Sequence, residues 1–244
     1  MPLIKATFAR AASIDPAQFH SLALRLEKIS FELGQGVKVI AVDKDYPLLT
    51  VQAVVRGERE VRRFDDQQGK MVTEPSTVDR EYYFYLDMDK GVAETPGGKR
   101  SLAIFADLLR RAGAGGELEL TPMFVDVAAW ARAMLKMHES AELGRLVIDN
   151  FYAEPKLIGR YSAKTVDNRL DLESLQGLGG NLHSIRLDFF EAGARRTVEA
   201  RTDGVLTVTC ADEDEAKEFA AGQRKLYLQH SMPADSARAA GEAS

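Results

Sequence analysis

The sequence is poor in the side chains that build fixed chemical centres: its 244 residues include 1 Cys, 1 Trp and 4 His. A lone cysteine, Cys210, excludes an intrachain disulfide and a thiolate metal cage. Its place at the end of the apolar run "GVLTVTC" reads as a small buried hydrophobe. His20, His138, His183 and His230 fall on separate elements, none with a second ligand at metal-binding spacing. The nucleophile elbow G-x-S-x-G, the H-E-x-x-H zinc signature and the dinucleotide glycine fingerprint are all missing. No metal and no cofactor is expected, and an enzyme is the less favoured class. Long apolar runs are missing as well: nothing approaches the roughly 18 residues of a membrane span, and "MPLIKATFAR" has no apolar signal core. A cytoplasmic protein without direct membrane insertion is the expectation. Net positive charge is lacking too. A formal net charge of −5 and a pI near 5.5 disfavour a generic nucleic-acid coat or a polybasic membrane binder.

What is present is an ordinary globular composition, 45% hydrophobic and 28% charged. Asp15-Pro16 opens an amphipathic helix with apolar residues at Phe19, Leu22, Leu26, Ile29 and Leu33, stopped by Gly34 and Gly36. The runs "VKVIAV", "LLTVQAVVR" and "EVRRF" read as antiparallel strands, the last two separated by Arg-Gly-Glu-Arg. The polar stretch 65–81 reads as a mobile surface loop. Helices follow at "SLAIFADLLRRAG" and "VDVAAWARAMLKMHES", with a strand at "GELELTPMF" between them, and "LVIDNFYAEPKLIGRYS" is extended with Pro155 at a bend or edge. The leucine spacing of 166–180 suggests another helix. Three strand patterns with turns at Glu-Ala-Gly and Thr-Asp-Gly then lead to a final helix capped by Asp212, turning Ala216, Phe219, Ala220, Leu226 and Leu228 to the core. The expected class is α+β, with largely antiparallel sheets and packed helices. Two subdomains are expected, 1–145 and 146–231, followed by a disordered small-residue tail at 232–244.

Candidate chemistry concentrates in "YYFYLDMDKGVAETPGGKRS". Alternation places Asp87 and Asp89 on one face near the exposed end of a hairpin, where a hard cation could use them. A phosphate loop does not fit, because Ala93 stands where its first glycine belongs and Arg100 follows Lys99 in place of Ser or Thr. The same turn still leads into a helix N-terminus flanked by Lys99 and Arg100, a setting that favours an anion. Further basic pairs at Arg62-Arg63, Arg110-Arg111 and Arg195-Arg196 could form a local positive groove if they share a face. Lys99, Arg100, Arg110, Arg111, Arg195 and Arg196 are therefore the candidate phosphate contacts. Tyr82, Tyr83 and Tyr85 beside Arg80, and Phe151, Tyr152 and Tyr161 beside Arg160 and Lys164, interleave rings with base as single-strand binders do. Trp130, Met134 and Met137 share a helical face suited to core or dimer packing.

The strand "IKATFAR", the stretch "FYLDMDKGVAET" with its glycine turn and "LAIFADLLRRAG", and the strand "ELELTPMF" together resemble the RexA-type phage-exclusion proteins. That resemblance implies a dimeric α+β protein of a prophage or defence locus, binding DNA with little sequence preference and signalling to an effector partner. The acidic balance departs from that pattern. Nucleic-acid binding is thus the first functional expectation. A protein-interaction or assembly module, homodimeric or joined to a partner, is the second. A metal-dependent enzyme acting on a phosphorylated substrate around Asp87, Asp89 and Lys99 is the third.

Overall fold

Period-two runs of β-branched residues and three-to-four spacing of leucines dictate strands and helices that each bury one face, and the chain folds accordingly into an α+β structure whose strands pair antiparallel. The computed structural model describes residues 2–12, 16–29, 35–42, 48–154, 157–164, 181–191 and 194–233. The helix expected over 166–180 and the tail beyond 233 lie outside these residues. Two compact units emerge, one of Met1–Arg10, Gly97–Lys99 and Thr121–Ser244, the other of Ala11–Pro96 and Arg100–Leu120.

In the Ala11–Pro96 and Arg100–Leu120 unit, helix α1 (Pro16–Glu27) buries Phe19, Leu22, Ala23 and Leu26, the stripe its spacing requires. Strands β2 (Gln35–Val42), β3 (Leu48–Asp65), β4 (Lys70–Asp87) and β5 (Val92–Pro96) pair in that order. Leu49, Val51 and Ala53 of β3 and Phe84 and Leu86 of β4 face inward and are fully buried. Helix α2 (Lys99–Arg111) buries Phe105, Leu108 and Leu109, with the Phe105 ring stacked on Phe84 at 4.6 Å.

The stretch expected to be a surface loop is instead the distal half of a long hairpin. β3 and β4 pair without interruption from Leu48–Asp87 to Asp65–Lys70, through Gly57 and the Arg-Gly-Glu-Arg segment that looked like a break. Asp65 closes the tip by accepting from the N–H groups of Gln67 and Gln68, and Gly69 at φ +60 supplies the left-handed residue.

The other unit is a sheet of β1 (Leu3–Ala11), β11 (Val205–Thr209), β10 (Ala194–Arg201), β9 (Asn181–Glu191), β7 (Ala141–Glu154) and β8 (Leu157–Lys164), neighbours in that order. Strand β6 (Leu120–Val125) pairs with β1 and with the short β12 (Ser231–Pro233). Position 145 lies inside β7. Helices α3 (Val127–Met137) and α4 (Glu213–Gln229) are capped by Asp126 and Asp212, whose side chains accept from backbone N–H groups in the first turn. Trp130 and Met134 are core residues and only Met137 of that face is exposed, so α3 offers no broad apolar surface of its own. On α4 the buried stripe is Ala216, Gln223 and Tyr227, while Phe219, Ala220, Leu226 and Leu228 are half-buried, a rotation from the expected face. Tyr227 justifies its burial by donating its hydroxyl to the carbonyls of Arg201 at 2.7 Å and Val205 at 3.2 Å. Cys210 is buried as expected, and burial pushes its thiol up. Among the described residues no helix is long and apolar enough to cross a membrane.

Candidate functional site

Four of the six candidate cations, Lys99, Arg110, Arg195 and Arg196, are paired with carboxylates. Lys99 starts α2 and places Nζ 2.9 Å from Asp203. Arg110 pairs with Asp107 one turn earlier on the same helix. Arg195 and Arg196 are consecutive on β10, so alternation sends them to opposite faces. Arg195 donates to buried Asp188 at 2.8 Å, and Arg196 donates to Glu215 at 2.7 Å while lying over the Phe219 ring. Arg62 and Arg63 diverge for the same reason. Arg100 is exposed, and Arg111 is half-buried at the end of α2. The phosphate-contact set expected from sequence is thus largely tied to carboxylates.

Asp87 is not exposed as its hairpin position suggested. It is 4% exposed, accepts from the backbone N–H of Lys90 at 3.1 Å and pairs with Lys90 Nζ at 2.6 Å. Its carboxylate closes the β4–β5 turn, while Asp89 stays in solvent. Among the described residues no group of three or more His, Cys, Asp or Glu is placed to hold a metal ion.

One cluster does gather charge. On adjacent strands, Asp149 of β7 takes a bidentate bond from Arg160 of β8, at 2.5 and 3.1 Å, and lies 3.1 Å from Nδ1 of His183 on β9. Next to it Asp203 receives Arg201 at 3.0 and 2.6 Å as well as Lys99. The Arg160 bond holds the Asp149 carboxyl below its usual range. Burial pushes Asp203 up, yet the bonds from Arg201 and Lys99 outweigh it and leave it lowered. Sequence reasoning placed His183 without a nearby ligand; the pairing needs β7 and β9 side by side, which spacing along the chain does not reveal.

A further unassigned surface is the β3–β4 arm. Every residue of β3 from Arg56 to Phe64 is exposed, on both faces of the ribbon. β2 accompanies β3 only as far as Val55, and β5 meets β4 only from Tyr85, so among the described residues neither outer edge of the distal arm is paired. At about 3.3 Å per residue, the distal arm runs on the order of 30 Å. Near its tip Phe64 and Met71 are direct cross-strand partners, 54% and 57% exposed. Residues 56–81 carry 6 Arg or Lys and 7 Asp or Glu. Sequence reasoning missed this surface, although Asp-Asp-Gln-Gln-Gly between Phe64 and Met71 was the available turn signal. In comparisons with known proteins, no protein-family model matches the chain, and no curated protein sequence matches it.

Proposed function

We propose that the chain is an assembly protein that grips a protein partner through the β3–β4 arm. The observation that carries this reading is an 18-residue strand pair whose distal half is exposed throughout β3 and at most positions of β4, only Val72, Ser76 and Val78 being half-buried, and which ends in the apolar pair Phe64–Met71. A lone two-stranded ribbon is marginal in water, and free strand edges invite pairing with another chain, so such an arm gains stability from what it binds. Near-balanced charge suits a mixed protein surface better than a phosphate backbone, which rewards net positive charge. A photo-crosslinking residue in place of Met71 in the full chain, expressed in the cells that make the protein, is expected to yield a discrete protein adduct that Phe64→Ser weakens. Mass analysis then distinguishes a second copy from an effector. Absence of an adduct at 71 and at 64, together with salt-sensitive binding of DNA or RNA, would overturn the reading.

Phosphate contact at the Asp149–Asp203 cluster is a second reading, favoured by the excess of Lys99, Arg160 and Arg201 over the two carboxylates. It carries the nucleic-acid role and defence context that the phage-exclusion resemblance implies. Fluorescence anisotropy with labelled DNA and RNA across a salt series tests it: Lys99→Ala with Arg160→Ala is expected to weaken binding and flatten the salt slope by about 2. An unchanged slope would reject it.

A further inference from the structure

The two outer edges of the distal arm differ in what they can pair with. In the β3–β4 ladder Glu60 stands opposite Pro75. Proline has no N–H to donate, so theirs is a non-hydrogen-bonded pair of the ladder. By alternation the N–H and C=O groups of Arg56, Glu58, Glu60, Arg62 and Phe64 point away from β4. The same parity turns Thr73, Pro75 and Thr77 to the outer edge of β4, where Pro75 breaks the row of donors. The β3 edge has no proline from Arg56 to Phe64, and among the described residues no strand covers it beyond Val55. It is the edge left open to another strand.

The side chains along that edge complement themselves. Arg56 and Arg63 are engaged by Asp79 and Glu74 of β4, whereas Glu58, Glu60 and Arg62 make no ion pair among the described residues. A two-fold axis perpendicular to the sheet at Glu60 sets two β3 edges antiparallel and brings Glu58 opposite the partner's Arg62, twice over. On the other face the two Val61 side chains, each 40% exposed, become diagonal neighbours. Glu60 alone meets its like, with the partner's Arg62 diagonally beside it. We infer that the occupant of the arm is a second copy of this chain, joined edge to edge through β3 over residues 56–64. This rests on the reading of the arm as an assembly device and names its partner. The pairing adds about ten backbone hydrogen bonds and turns two marginal ribbons into one four-stranded sheet. Its outer edges are the two β4 strands, each blunted by Pro75, so growth stops at a dimer instead of continuing into a fibre.

Sedimentation equilibrium of the full chain across a dilution series tests this, with a species of twice 26.9 kDa expected. Glu58→Arg and Arg62→Glu each convert both opposite-charge pairs into like ones and should weaken the dimer by about tenfold or more. Mixed in equal amounts, the two variants again set acid against base at both sites, so the mixed dimer should recover an affinity near that of the unaltered chain. That recovery also shows both variants to be folded. Glu60→Gln, which removes the like pair on the axis, should instead strengthen the dimer by a few-fold. A monomer at every concentration, a dimer that neither Glu58→Arg nor Arg62→Glu weakens, or no recovery on mixing overturns the inference. If the crosslinker at position 71 then captures a different protein, the assembly reading stands without self-pairing; if it captures nothing, both fall.

Discussion

Individual residues carry more of the fold than their types advertise. Gly204, in the Thr-Asp-Gly turn after β10, sits at φ +80 and would bring a Cβ within 2.6 Å of the Phe8 carbonyl, the residue whose N–H donates to the Gly204 carbonyl at 2.8 Å. Gly204→Ala is therefore expected to destabilise by about 2–4 kcal/mol, against about 1 kcal/mol for Gly69→Ala, where the φ is also positive but the space is open. Urea midpoints of the two variants check the contrast. The turn itself was readable from Asp-Gly, whereas the close approach of β1 was not, because Phe8 is distant in sequence. Asp149 and Asp203 illustrate the same limit: both are ordinary surface acids in the sequence, and only neighbouring strands give them arginines. Their lowered carboxyls contribute stability at pH values above the ordinary Asp range, about 3.9, and lose it as pH falls through the lower folded values. Stability measured from pH 7 down to pH 3 should decline most steeply below about 4, and less steeply in Asp203→Asn.

At the scale of elements, helices were legible because each buries a stripe. α2 and α3 lie where their periodicity placed them, and Asp212 caps α4 as expected. The distal arm was illegible for the complementary reason. A ribbon that buries no residue fully along its distal half needs no continuous apolar side, so its sequence alternates weakly and mimics a loop. The arm is also expected to be dispensable to the fold, since its distal residues are not fully buried. Joining Glu58 directly to its cross-strand partner Thr77 through an Asn-Gly turn should change unfolding free energy by less than about 1 kcal/mol while abolishing the Met71-side adduct. A large loss of stability on shortening would mean that the arm belongs to the core after all. The basic pairs of β10 make a simpler point: consecutive strand residues cannot share a face, which was available from the strand assignment alone.

For the whole molecule, the antiparallel α+β class was legible from the succession of patterns, but the pairing of first with late strands was not. Leu3 lies opposite Thr209 and Thr7 opposite Val205, so β1 finds its β11 partner only across most of the chain. Such non-local pairing predicts slow refolding, on the order of seconds or longer rather than milliseconds, measurable by stopped-flow fluorescence of Trp130. It also sets an order of events during translation. β11 is synthesised some two hundred residues after β1. Until β11 emerges, the edge of β1 that it will cover waits without that partner, and chaperone capture during synthesis would act on that open edge.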